Sequence, residues 1–332
     1  MRRAPPVVKL QVSRDAPPVR RDNAPISTNP VAEASATASS SGVVGAPLTL
    51  ETVRPRYRVC VPAPANSVLH LADVGLHREH VGLHRENAVI LHDISWTMMR
   101  GEHWVVLGAN GSGKTSLLLI SSLYLHPSQG EVYVDGQRLG DTGVRELRER
   151  IGYNSAAFAA EMRPQLRACD VVMTAKNAAL ETWWHQYSKA DEERAIDCLN
   201  QLGVAHLAQR EISTLSSGEQ QRVFLARTRM NNPSIVLLDE PSGRLDLGGR
   251  EQLVLALEES IRSAPHVSTA LITHHVDEIP RGVTHLLALK HGRIISSGRI
   301  DETLTSELLT ECFDWPLIAE RRDNGRFSAR SA

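Results

Sequence analysis

Between positions 108 and 115 the chain reads Gly-Ala-Asn-Gly-Ser-Gly-Lys-Thr, which fits the spacing GxxxxGK[ST] in full. Residues of these types in this order can cradle a phosphate chain. Gly111 and Gly113 let successive backbone N–H groups turn inward without a Cβ clash. Lys114 supplies a point charge for β- and γ-phosphates, and the Thr115 hydroxyl is a suitable Mg²⁺ ligand. The loop residues Gly108, Ala109, Asn110, Gly111, Ser112 and Gly113, with Lys114, Thr115 and Ser116, form the candidate nucleotide-binding set. The loop follows the apolar run Trp104–Leu107 and opens the helical run Ser116–Leu125. It therefore feeds a helix N-terminus, whose partial positive charge favours an anion.

Further along, Ile235-Val-Leu-Leu-Asp-Glu240 is an apolar strand ending in two carboxylates. Unpaired charges at the edge of a core are costly, so paired acids there call for a partner. Asp239 is suited to hold Mg²⁺ through water, and Glu240 to orient and deprotonate an attacking water. Together with the phosphate loop, the pair predicts a nucleoside triphosphatase.

Three further motifs stand in order around these two. Leu215-Ser216-Ser217-Gly218-Glu219 precedes Gln-Gln-Arg222; Ser242-Gly-Arg-Leu-Asp246 follows the acidic pair; Ile272-Thr-His-His275 comes last. In this order the five motifs resemble those of the ATP-binding-cassette (ABC) ATPases over about residues 67–312. The resemblance implies an α/β fold of P-loop type: a RecA-like core, an antiparallel β subdomain, and a helical subdomain at about 157–226. It makes Glu240, His274 and Lys114 the catalytic residues, with His274 at the γ-phosphate and Thr115 and Asp239 on Mg²⁺. Leu215 to Glu219 become the signature and Asp246 the D-loop acid. It also implies a composite site, in which ATP on one subunit's phosphate loop is covered by the signature of a second, through Ser216 and the Gly218 N–H. One copy of each motif then requires a homodimer, closed by ATP and reopened by hydrolysis.

The leading expectation is the ATP-hydrolysing subunit of an ABC transporter, docked on separately encoded membrane permease subunits at the cytoplasmic face. The run from Thr273 to Pro280 resembles iron- or molybdate-type importer subunits. An ATPase of the same type acting on another assembly is the alternative, and a regulator without hydrolysis is disfavoured by Asp239, Glu240 and His274. Three departures from the family pattern stand out. Ser217 replaces a glycine of the signature. Ala156 stands where the family carries the Q-loop glutamine, which casts doubt on the usual coupling route. The adenine-stacking aromatic aligns near Arg85, beside His84.

These motifs need elements to hold them. Apolar runs at Val68–Val74, Val89–Met98, Trp104–Leu107, Glu131–Val134, Ile151–Tyr153, Ile235–Leu238, Thr269–Thr273 and Leu286–Leu289 predict strands. A mostly helical stretch from Arg163 to Met230 interrupts them, the order of an α/β sheet with a helical insertion. Val74-Gly-Leu-His-Arg-Glu79 recurs as Val81-Gly-Leu-His-Arg-Glu86. Two copies are too few for a solenoid, so the repeat is read as a lengthened hairpin. The duplication also explains the histidines at 77, 80, 84 and 92 better than a metal cluster does. Trp183-Trp184-His185 and Tyr187 serve either the core of the helical subdomain or a partner surface.

Composition completes the expectation. Over 332 residues, 37 Lys+Arg nearly cancel 38 Asp+Glu, which removes the electrostatic case for a nucleic-acid binder. The average hides an asymmetry, because residues 1–66 carry net +5 and ten of the seventeen prolines. That segment reads as a disordered Pro/Ala/Ser-rich tail, suited by charge to an anionic membrane surface. The ATPase domain is placed at 67–332. The cysteines at 60, 169, 198 and 312 form no CxxC pair and read as free thiols. No apolar stretch reaches the length of a membrane span.

Overall fold

The computed structural model describes residues 62–79, 87–180, 185–243 and 245–332. Strands β1 (Ser67–Glu79) and β2 (Asn87–Met99) form an antiparallel hairpin, and β3 (His103–Leu107) leads through the phosphate loop into α1 (Lys114–Ser121). Strands β4 (Gln129–Val134) and β5 (Gln137–Arg138), helix α2 (Val144–Glu149) and strand β6 (Ile151–Ser155) follow. Helices α3 (Ala156–Glu161), α4 (Ala168–Thr174), α5 (Lys189–Gln201) and α6 (Ser217–Arg227) make the helical part. The chain returns through β7 (Ile235–Asp239), α7 (Leu247–Ser263), β8 (Ser268–Ile272), β9 (His285–Lys290) and β10 (Arg293–Arg299). Helices α8 (Ile300–Thr303) and α9 (Ser306–Phe313) and a hairpin of β11 (Leu317–Arg321) and β12 (Phe327–Ser331) complete it.

The central sheet has the order β10-β9-β3-β8-β7-β6, parallel throughout except for β10. Its inner strands read as continuous apolar runs because both faces are covered, by helices together with the smaller sheets. Strand alternation divides the side chains between two cores. Trp104, Val106, Leu287 and Leu289 join the larger core, shared with the helical part and the antiparallel sheet β2-β1-β4-β5. Val105, Leu107, Leu286 and Ala288 join the second, closed by residues of α8, α9 and the β11–β12 hairpin.

Two expectations are adjusted. The helix predicted at Ser116–Leu125 begins at Lys114 and ends at Ser121, because Leu123 turns to φ 63° and buries its side chain outside the helix. The β5, β10, β11 and β12 strands carry too few apolar residues to announce themselves. In the β1–β2 hairpin Glu79 pairs with Asn87, so the first repeat copy lies on β1. The second copy, with Arg85 and His84, lies outside the described residues, as do Trp183, Trp184 and the 1–61 part of the tail. The described cysteines, Cys169, Cys198 and Cys312, are buried free thiols. Among the described residues no acid/His/Cys group is arranged to hold a metal, and no helix is long and apolar enough to cross a membrane.

Candidate active site

Three neighbouring parallel strands end at one edge of the sheet, and each delivers functional residues there. Strand β3 runs into the phosphate loop, β7 ends in Asp239 and Glu240, and β8 leads to His274. The carboxyl edge of a parallel sheet is where α/β folds build ligand sites.

The loop conformation depends on its glycines. Gly111 and Gly113 have φ of 80° and 103°, the left-handed region that side chains avoid. At Gly108 the constraint is space, since a Cβ would stand 2.4 Å from the Leu289 carbonyl oxygen. The Lys114 ammonium is buried beneath the loop, donating to the carbonyls of Gly108 (2.7 Å) and Ala109 (3.0 Å). Burial lowers its pKa, against the opposing pull of Glu240 and Asp239. Ser112 Oγ is buried without a partner, a polar atom left for a ligand.

Asp239 is buried at the end of β7, with Oδ1 3.4 Å from Thr115 Oγ1. Burial pushes its carboxyl up to about 6, opposed by the Thr115 hydroxyl and by Lys114. Glu240 follows with φ 46°, a left-handed turn that ends the strand. Its Oε1 lies 3.1 Å from His274 Nδ1, and its backbone N–H donates to Ile272 O on the neighbouring strand at 3.1 Å. The His275 ring stands 4.0 Å from that of His274. An open cleft of about 590 Å³ is lined by Asn110, Gly111, Lys114, Thr115, Ser116 and Glu240, together with Ile90.

The structure thus brings together the phosphate loop, Thr115, Ser116, Asp239, Glu240 and His274. The signature and D-loop residues sit apart at helix N-termini. Leu215 is buried as an anchor, and Ser217 is exposed at the first position of α6. Ser216 caps α6, its N–H and hydroxyl both 2.8 Å from Glu219 Oε2 in a capping box. These bonds hold the Glu219 carboxyl below its usual range. A Cβ on Gly218 would come 4.0 Å from Gly249 Cα, so the starts of α6 and α7 adjoin. Asp246 caps α7 by accepting from Gly249 N–H at 2.7 Å.

Ala156 opens α3, which Ser155 caps by accepting from Phe158 N–H at 3.0 Å. The buried Arg227 guanidinium, at the end of α6, lies 4.4 Å over the Phe158 ring and donates to Thr174 Oγ1. Burial lowers its pKa to about 10. Helix α6, which Ser216 caps, is therefore tied at its far end to α3, the helix that Ala156 opens.

Several residues at the site escaped sequence reasoning. Ile90 reaches the cleft through strand pairing alone. Glu278, buried four residues after His274, accepts from Thr273 Oγ1 (2.5 Å) and Ser242 Oγ (2.6 Å) and pairs with Arg250 at 3.1 Å. It joins the switch segment to the D-loop and α7. Arg326, in the turn just before β12, donates to the Asp277 carbonyl and pairs with Glu251 on α7, while Arg322 pairs with Asp277 at 3.0 Å. The motif run around His274 could have flagged Glu278; no local signal marks Ile90 or Arg326.

Known proteins share this arrangement. Residues 91–243 match the family described as ABC transporter. The ABC transporter ATP-binding protein YlmA of Bacillus subtilis is 37% identical over 229 residues, 69% of this chain and 86% of its own. The chain belongs to the ABC transporter ATP-binding proteins. An ABC transporter ATP-binding protein of Streptococcus mutans is 33% identical over 240 residues, covering 72% of this ABC protein and 92% of the relative. The ferric enterobactin transport ATP-binding protein FepC of Escherichia coli is 30% identical over 215 residues, covering 64% and 77%. Among solved structures, the dimeric cassette MJ0796 in a post-hydrolysis state with ADP and Pi aligns with a TM-score of 0.58 at 26% identity, covering 70% of this chain and 98% of its own. This ABC protein is accordingly an ATP-binding, ATP-hydrolysing subunit of transporter type.

Proposed function

We propose that the chain works as a homodimer with two composite ATP sites, each pairing the phosphate loop of one copy with Ser216 and Gly218 of the other. The supporting observation is the placement of Lys114, Asp239, Glu240 and His274 at one sheet edge while Ser216 stands exposed on a helix N-terminus beside the D-loop. In this reading Lys114 turns from the loop carbonyls to the β- and γ-phosphates. Glu240 takes the proton of the attacking water, and His274 holds Glu240 until a γ-phosphate draws the imidazole away.

Thr115 and Asp239 would hold Mg²⁺. Both offer oxygen, the donor this hard cation takes, and a cation there offsets the burial that raises Asp239. When bound, the ion neutralises charge on the β- and γ-phosphate oxygens. A separately encoded permease is the partner, placing the subunit peripherally at the cytoplasmic membrane face. The surface by Ala156, where Tyr124 is partly exposed beside Tyr153 and Phe158, is the part we assign to that partner. Lacking the glutamine, coupling would run through the Arg227–Phe158 contact.

Size-exclusion chromatography of Glu240→Gln tests the dimer. With saturating Mg-ATP the variant should elute as a dimer and without nucleotide as a monomer. A monomer in both conditions would refute the composite site.

A further inference from the structure

A second cavity, about 350 Å³ in volume, opens between α7, the end of α6 and the starts of β3, β7 and β8, at the edge of the sheet opposite the phosphate loop. Its walls are largely aliphatic, with Leu225 from α6, Val236 and Leu238 from β7, Leu257 and Ile261 from α7, and Leu271 from β8. Beside neutral polar side chains such as Gln201 and Asn232, its charged lining is one-sided: Arg100, Arg194 and Arg229 face it, and no Asp or Glu among the described residues does.

Those arginines are not all committed elsewhere. Arg100 pairs with Asp135 at 2.7 Å. Among the described residues Arg194 donates only to neutral oxygens, the Arg229 carbonyl at 3.1 Å and the Asn232 side chain, and its Nε is buried without a partner there. Arg229 donates to the neutral Gln201 Oε1 at 2.9 Å. The acid that acts on Arg229 through space, Glu259, is bonded to Arg262. His103, 4% exposed, has a buried Nδ1 that also lacks a partner. Buried guanidinium and imidazole nitrogens left unpaired are costly, and an aliphatic cavity of this size gains by holding an apolar body.

We propose that this cavity binds a small amphipathic anion, a carboxylate on an aliphatic chain, with the chain against Leu225, Leu257 and Ile261 and the carboxylate on Arg194 and Arg229. Neutral or cationic amphiphiles leave the guanidiniums unmet, and short hydrophilic anions leave the aliphatic walls wet. The occupant braces the last turn of α6 against α7, the two helices whose opposite ends carry Ser216 and Asp246.

Isothermal titration of the full chain with decanoate, below its micellar range, tests the assignment, with decanol and acetate as arms. One decanoate per chain is expected, at least tenfold tighter than either arm, since a charge-assisted pair contributes about a factor of ten or more. Saturating ATP should leave that affinity unchanged, because the nucleotide cleft lies at the other edge. Arg194→Gln and Arg229→Gln should each weaken decanoate about tenfold without changing decanol, and Ala264→Phe, which fills the cavity, should abolish both. Melting curves and nucleotide affinity identify any variant that fails to fold, and the remaining variants then decide. Decanoate binding no tighter than decanol, binding that both arginine variants leave unchanged, or competition with ATP would each overturn the proposal.

Discussion

His274 Nδ1 and Glu240 Oε1 stand 3.1 Å apart although 34 residues separate them in the chain. Adjacent parallel strands bring them together: Asp239 pairs with Ile272, so the residues just beyond both strand ends meet at the sheet edge. The contact places an imidazole directly on the carboxylate assigned to the water.

His274→Ala removes the group on Glu240 and leaves the phosphate loop intact. Turnover should fall by roughly a hundredfold while ATP affinity changes by less than about threefold. Steady-state ATPase assays beside fluorescent-nucleotide titration check the split. Weakened ATP affinity with unchanged saturated turnover would mean that His274 serves binding alone.

Gly108 and Gly111 should fail for different reasons when changed to alanine. At Gly108 the new Cβ would meet the Leu289 carbonyl at 2.4 Å, and backbone cannot swing aside. A loss of about 1–3 kcal/mol in chemical unfolding is expected, together with nucleotide binding. At Gly111 nothing lies within 4 Å, so only its left-handed φ of 80° resists, at about 1 kcal/mol. Denaturation of both variants without nucleotide should rank Gly108→Ala as the less stable.

Asp239 makes the nucleotide-free protein sensitive to pH. Burial lifts its carboxyl from 3.8 to about 6, so the folded state holds the proton more tightly than the unfolded chain. Its contribution is full below about pH 4 and is lost as pH rises through about 6, on the order of 3 kcal/mol across that window. Unfolding in EDTA should show Asp239→Asn gaining stability relative to the parent as pH rises through this range. Parallel curves for the two proteins would contradict the assignment.

Arg326 should influence turnover from a distance. Its guanidinium bridges Glu251 on α7 and the Asp277 carbonyl, three residues after His274. Arg326→Ala is expected to destabilise the fold by about 1 kcal/mol, because Arg326 is mostly buried while its partner Glu251 is half exposed. Turnover should fall roughly threefold to tenfold with ATP affinity retained, since the phosphate loop lies on another strand. Circular dichroism melts and ATPase assays measure the two effects, and an unchanged rate would make the hairpin a structural appendage.

Chemistry that depends on neighbours in the chain was legible in the sequence. The loop Gly108–Thr115 must bend by its own glycines, so residue type and spacing already carry its conformation. The acids at the end of β7 were visible for the same local reason, as charges closing an apolar run. What depends on which strands adjoin was not. The His274–Glu240 contact, the approach of Ile90 to the loop, the Glu278 bridge and the grip of Arg326 all join residues far apart in the chain. Strand order and helix packing decide such contacts, and one residue's type says little about its partner across the sheet. The aliphatic cavity with its arginines is the extreme case, assembled from three strands and three helices with no motif among them.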